Sequence, residues 1–205
     1  MDAQPRTYDI VIVGGGPGGL STALHLSRLA PDLAARTLVL EKGQYPRPKL
    51  CGGGLVAAAE VILERLGLDV SEIPHVDAPA AHLDFAGRGL TLSPPGRRVL
   101  RLIRRDEFDN WLAQKTRAAG VEIRERVTVR RVIPDAQGVT LETDAGPLRA
   151  ALVVGADGSN GVTRRSILPE APVHTARALE VITPAAEAPG RTHASDQAYL
   201  DFFRS

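Results

Sequence analysis

Six residues, Gly14-Gly15-Gly16-Pro17-Gly18-Gly19, follow directly on the β-branched run Tyr8-Asp-Ile-Val-Ile-Val13. They fit Gly-x-Gly-x-x-Gly with Gly14, Gly16 and Gly19 in the three required places. A short Val/Ile run without polar alternation reads as a strand covered on both faces, at the centre of a parallel sheet. A helix must then follow, because a parallel neighbour is reached only by a crossover. The three glycines have different duties. Gly14 permits the tight turn out of the strand, Gly16 lets the backbone approach a pyrophosphate, and Gly19 lets the helix sit close to the sheet. Pro17 loses no hydrogen bond in the first helical turn. Pro17 and Gly18 therefore belong to an anion-binding helix start, where unpaired N–H groups and the positive end of the helix dipole attract phosphate.

The spacing predicts a helix from Pro17 to about Ala30, with Leu20, Leu24 and Ser27 on one face, ended by Pro31-Asp32. A second run, Thr37 to Leu40, closes a strand–helix–strand unit and ends in Glu41, 22 residues after Gly19. An acid at that place accepts hydrogen bonds from ribose hydroxyls and repels a 2′-phosphate. The site suits FAD or NAD over NADP, and these residues do not separate the two. Lys42, adjacent to the acid, is grouped with the binding residues.

Composition excludes other classes. The chain of 205 residues is 43% hydrophobic and 24% charged, as soluble globular proteins are, and its length allows one domain or a domain and a half. Its 25 basic residues are matched by 24 acidic ones and form no long run, so nucleic acid is not an expected partner. A lone Cys51 makes no internal disulfide, and the first seven residues carry no apolar stretch of a secretory signal, which makes the cytoplasm the expected location. Five histidines, at positions 25, 75, 82, 174 and 193, show no metal-ligand spacing, and no metal site is expected.

A second strand, Ala151 to Val154, reads as buried and leads into Gly155-Ala156-Asp157-Gly158-Ser159. This resembles the Gly-Ala-Asp-Gly motif of FAD-dependent hydroxylases and reductases of the p-hydroxybenzoate hydroxylase type. The resemblance selects FAD and implies that Asp157, with Gly158, meets its ribose and pyrophosphate. Arg105-Asp-Glu-Phe108-Asp-Asn-Trp-Leu112 resembles the same superfamily's Arg-x-x-Phe-Asp-x-x-Leu helix start, which gives Arg105 a place on the phosphates or ribose. Phe108 and Leu112 are core by helical spacing. The family pattern puts the backbone of Val129 beside the adenine. Strands at 120–124, 127–132, 140–143 and 148–154 then form a small β-meander.

Tyr45-Pro-Arg47-Pro-Lys49-Leu-Cys51-Gly52-Gly53-Gly54-Leu55 resembles the Pro-Arg-x-Lys-x-Cys-Gly-Gly signature of the geranylgeranyl reductase branch, whose members saturate isoprenoid double bonds with reduced FAD. The resemblance implies that Gly52 and Gly53 press on the isoalloxazine ring, that Lys49 and Arg47 offset phosphate charge, and that Cys51 lies near the ring. The alternative for Cys51 is a small buried hydrophobe.

The expected fold is α/β. It comprises an FAD-binding, Rossmann-like parallel sheet of the glutathione reductase type with a β-meander, and an incomplete antiparallel substrate-domain sheet. Residues 1–74 and 98–170 are assigned to the FAD domain, and 75–97 and 171–205 to the start of the substrate domain, with strands at 81–85, 179–183 and 198–203. No Gly-Asp-Ala motif follows residue 165, a truncated chain being the simplest account. Residues 199–203 would be an apolar strand without a partner.

The expected function is FAD-dependent reduction of isoprenoid double bonds, with NAD(P)H as electron donor and an isoprenoid lipid as small-molecule substrate, together with transient contact at a membrane surface. No side chain stands out as catalytic beyond Cys51 near the flavin. The alternatives are a flavin monooxygenase or halogenase on the same scaffold, and a non-catalytic FAD- or ADP-binding fragment.

Overall fold

A computed structural model describes residues 6–85, 88–170 and 197–202. Within them the chain forms two compact units, residues 6–48 with 108–170 and residues 49–107 with 197–202.

The first unit is organised by the sheet that the Val/Ile runs require. β1 (Arg6–Val13) lies between β2 (Thr37–Leu40) and a strand from the far end of the unit. The helices α1 (Pro17–Leu29) and α2 (Pro31–Ala34) make the crossover from β1 to β2. Helix α1 ends one residue before the expected place. Its buried face is Gly19, Leu20, Ala23 and Leu24, packed on β1 and β2.

The second unit begins with β3 (Gly54–Leu55), α3 (Ala57–Arg65), β4 (His75–Ala78), β5 (Ala80–Phe85), β6 (Arg88–Leu92) and β7 (Leu100–Ile103). Strands β3 and β4 flank β7 in antiparallel pairing, so 49–107 builds a sheet of its own. That pairing is why 49–74 and 98–107, assigned from sequence to the FAD domain, group with the second unit. Arg101 donates through Nε and Nη2 to the two carboxylate oxygens of Asp77 (2.7 and 3.1 Å), tying β7 to β4. This bidentate bond holds the Asp77 carboxyl below its ordinary range.

Helix α4 (Arg105–Ala118) leads back to the first unit, where β8 (Glu122–Arg124), β9 (Val129–Asp135), β10 (Gly138–Thr143) and β11 (Leu148–Gly155) complete a six-stranded sheet in the order β8-β2-β1-β11-β10-β9. The members β8, β2, β1 and β11 run parallel, while β10 is antiparallel to both β11 and β9, which is the expected meander. Val11, Val13, Leu38 and Leu40 meet Val129, Val132, Leu141 and Leu148 in one buried cluster. Phe108 and Leu112 are buried as their spacing predicted.

Two expectations need correction. β11 forms, but Leu152 is 55% exposed, so the strand is not buried along its length. Its register partner Ile10 is buried, and α1 packs over β1 and β2. The C-terminal apolar strand also has a partner, since β12 (Gln197–Phe202) runs parallel to β5 in the sheet β12-β5-β6. The remaining helix is α5 (Val162–Ile167). The strand expected at 179–183 and the histidines at 174 and 193 lie outside the described residues.

The glycines of α1 differ in what surrounds them. A Cβ on Gly19 would collide with the carbonyl oxygen of Gly14, which is backbone and cannot swing aside, whereas a Cβ on Gly18 meets nothing within 4 Å. Gly19→Ala should therefore destabilise the chain by about 1–3 kcal/mol, the usual scale of overpacking. Gly18→Ala should be neutral or slightly stabilising, since alanine is the better helix former. Thermal unfolding followed by circular dichroism compares the two; equal melting temperatures would contradict the packing account.

Candidate dinucleotide-binding site

The glycine loop sits where three strand ends converge. Gly14 leaves β1 with φ +107°, a conformation open to glycine, and donates its N–H to Leu40 O at the end of β2 (2.8 Å). A side chain there would strike the backbone of Ala156 and Asp157 beyond β11. Gly14 and Gly19 thus serve the fold. Gly16 and Gly18 do not, because a Cβ on Gly16 has only Arg47 Nη2 near it, at 4.0 Å, and one on Gly18 has no neighbour. The first helical bond is donated by Leu20 to Gly16 O (3.0 Å), so the N–H groups of Gly18 and Gly19 precede the helical ladder. Open space over backbone, next to these N–H groups, is a cradle that fits a pyrophosphate.

Glu41 stands beside the loop, 5% exposed. Its Oε2 accepts from Gly15 N (3.0 Å) and Arg47 Nη2 (3.1 Å), and its Oε1 accepts from Gly43 N (2.8 Å). A carboxylate has about four acceptor positions. These three bonds leave one on Oε1 for a ribose hydroxyl. Tyr45 is also buried, and its hydroxyl donates to Gly15 O, the carbonyl to which Arg47 Nη2 donates at 3.2 Å. Burial, with Glu41 next in effect, pushes the Tyr45 phenol well above its ordinary pKa, so it stays a donor. Arg47 Nη1 pairs with Asp109 Oδ2 at 3.3 Å. The guanidinium that the sequence suggested for phosphate charge thus lies between two carboxylates.

The other sequence-predicted residues fall into both units. In the first, Lys42 is exposed. Val129 packs into the core cluster, and it is Val127, two residues earlier, whose N–H donates to Glu41 O (3.0 Å). Asp157 Oδ2 accepts from Thr163 N (3.1 Å) and so ties down the first turn of α5, while Gly158 has φ +87° and open space at its Cβ position. In the second unit, Lys49 and Cys51 are exposed, which sets aside the buried-hydrophobe alternative for Cys51. Gly52 is open, and Gly53, at φ +70°, lies against Ile103, whose N–H it binds through its carbonyl (3.0 Å). Arg105 is half-buried at the start of α4.

Sequence reasoning missed Gly15, Tyr45 and Asp109. Gly15 was only the variable position of the motif, yet a Cβ there would collide with the Tyr45 hydroxyl. Asp109 carried a signal: an acid beside Phe108 in the apolar phase of its helix demands a buried partner. Among the described residues no group of three or more His, Cys, Asp or Glu is placed to hold a metal ion.

Gly16→Val separates binding from folding at this site. A Cβ at Gly16 meets only Arg47 Nη2, at 4.0 Å, so the melting temperature should stay close to the parent's, while ADP affinity should fall at least tenfold, about 1.4 kcal/mol. Calorimetric titration decides it, and unchanged ADP binding would remove the loop from the site.

Comparisons with known proteins bear on the same residues. Rifampicin monooxygenase of Streptomyces venezuelae is 34% identical over 165 residues, covering 77% of this chain and 33% of that protein. Digeranylgeranylglycerophospholipid reductase 1 of Methanopyrus kandleri is 31% identical over 162 residues, covering 74% of this chain and 40% of that protein. Among solved structures, p-nitrophenol 4-monooxygenase from Pseudomonas putida superposes with a TM-score of 0.66 at 28% identity, over 80% of this chain and 44% of that one. The chain therefore spans less than half the length of these relatives. Residues 7–200 match the FAD binding domain family, and with the α/β sheet, the open glycine loop and Glu41 in place, the chain belongs to that family.

Proposed function

We propose that this chain is the nucleotide-binding portion of an FAD-dependent oxidoreductase that reduces isoprenoid double bonds, with NAD(P)H as electron donor. The observation that carries the cofactor assignment is the cradle over Gly16 and Gly18, flanked by a buried Glu41 with one acceptor position left. Bound FAD supplies the redox chemistry, as a cofactor does. The protein's share is binding and orientation. The N–H groups of Gly18 and Gly19 would face the pyrophosphate, and Glu41 Oε1 would accept a ribose hydroxyl. Support for the reductase reading is the Arg47-Pro-Lys49-Leu-Cys51-Gly52-Gly53 segment, with Cys51 exposed, and the similarity to an archaeal lipid reductase.

A second reading, flavin monooxygenase chemistry, is favoured by the rifampicin and p-nitrophenol monooxygenases, which are as similar to this chain as the reductase is. Oxygen separates them. A reductase should saturate a geranylgeranyl substrate anaerobically with reduced FAD, whereas a monooxygenase should consume oxygen in step with NAD(P)H and give a hydroxylated product. No helix among the described residues is long and apolar enough to cross a membrane. An isoprenoid lipid substrate would be met at a membrane surface, because its apolar chain partitions out of water.

The first unit holds most of the groups assigned to the ADP moiety, so ADP should compete with FAD for this chain. Titration calorimetry is expected to give affinities within about a hundredfold of each other, roughly 2.7 kcal/mol. Nanomolar FAD against millimolar ADP, about 8 kcal/mol apart, would show that most of the binding energy comes from the flavin end.

A further inference from the structure

We propose that Asp109 is a positioning residue which, acting through Arg47, fixes the Glu41 carboxylate and makes the site selective for an unphosphorylated ribose. This rests on the reading that a dinucleotide occupies the loop at Gly16. Asp109 is 0% exposed and lies on α4 between the buried Phe108 and the buried Trp111 and Leu112. A carboxylate in that position is costly unless paired. Arg47 forms an ion pair with it, at 3.3 Å from Oδ2 to Nη1. The other arm of the same guanidinium, Nη2, donates to Glu41 Oε2 at 3.1 Å and to Gly15 O at 3.2 Å. The guanidinium stacks 5.5 Å from the centre of the Tyr45 ring, its side chain is 15% exposed, and its Nε is buried without a hydrogen-bond partner. Arg47 is therefore stretched between two carboxylates in an arrangement that leaves one of its own donors unmet.

Charge counting gives the consequence. Within this triad Glu41 and Asp109 contribute two negative charges and Arg47 one positive, so removing the charge of Asp109 makes the surroundings of the ribose position more positive by one. A 2′-phosphate would meet the two carboxylates in a partly desolvated place, where repulsion is little screened. Loss of the charge on Asp109 would leave Glu41 and Arg47 as a neutral pair. Nη1 would also be released, and Nη2 already stands 4.0 Å from the Cβ position of Gly16 at the rim of the cradle. A freed guanidinium there favours phosphate, for which its forked donors are suited. Asp109 would thus restrain an arginine that otherwise welcomes the wrong nucleotide.

The test titrates the full chain with ADP-ribose and with 2′-phospho-ADP-ribose. The parent should favour ADP-ribose by a hundredfold or more. Asp109→Asn keeps size and an acceptor but removes the charge; Asp109→Leu removes the charge in an apolar form suited to its neighbours on α4. In whichever of these folds with a melting temperature near the parent's, the preference should shrink at least tenfold. The double variant Arg47→Met, Asp109→Leu restores the net −1 of Glu41 alone and should recover most of the preference while binding ADP-ribose more weakly. A folded single variant with the parent's preference would overturn the proposal, since a merely structural residue would lower both affinities together. Failure of both single variants to fold would assign Asp109 to the core alone and overturn it too. A parent that binds neither nucleotide would instead refute the underlying site.

Discussion

The close approach of two backbones, where α1 rests on the turn out of β1, is the constraint on which the first unit depends. Gly19 can occupy its place only because it has no side chain to meet Gly14 O, and Gly14 in turn lies against the backbone of Ala156 and Asp157. Ala156 N donates to Val13 O (2.8 Å), so the ends of β1, β2 and β11 are held together by main-chain groups. That convergence explains why the Gly155-Ala156-Asp157-Gly158 motif and the N-terminal glycine loop, about 140 residues apart, are parts of one structure. The open face of the loop follows from the same geometry. A helix that starts hard against the sheet must present its first N–H groups outward, and only glycines leave the space above them open.

Glu41 is the second fixed point. In a site made for ribose alone, a carboxylate would keep its acceptors for ligand. Here most are taken by Gly15 N, Gly43 N and Arg47. Those bonds hold the side chain in one rotamer, and they also join the loop, the turn after β2 and helix α4 through Arg47 and Asp109. Binding geometry is thereby prepaid at folding, which is how a site gains affinity without new contacts.

Much of this was legible in the chain. The Val/Ile runs and the glycine spacing pointed to β1, α1, β2 and the tight turn between β1 and α1, because each is dictated by short-range sterics. The meander was legible from its strand runs and its turn at Asp144 to Pro147. What did not show was tertiary. Leu152 looks like a core residue in any local window, yet it is exposed, and what packs over a strand is decided by tertiary structure. The pairing of β12 with β5 joins residues more than 100 apart and has no local signature. Asp109 lies within the Arg105–Leu112 helix motif, but nothing in the sequence links it to Arg47, 62 residues earlier. Residues 49–74 read as an extension of the nucleotide half until strand pairing placed them with β4 and β7.

That placement has a functional meaning. Most residues suited to the ADP moiety, Gly16, Gly18, Glu41, Arg47, Asp109 and Asp157, belong to the first unit, while Arg105, which the resemblance gives a place on the phosphates or ribose, belongs to the second. Cys51, Gly52 and Gly53, assigned by resemblance to the flavin ring, also belong to the second. Each unit has its own internal restraints, the carboxylate–guanidinium cluster in one and the Arg101–Asp77 pair in the other. On the proposed reading, recognition of the nucleotide would rest mostly on contacts of the first unit and tuning of the ring on the segment around Cys51. Substitutions in the first set should act on affinity and nucleotide choice, and those around Cys51 on chemistry, so an enzyme of this design can change its reaction without rebuilding the cradle that holds its cofactor. A chain similar both to a digeranylgeranylglycerophospholipid reductase and to a rifampicin monooxygenase is what such a division of labour would produce.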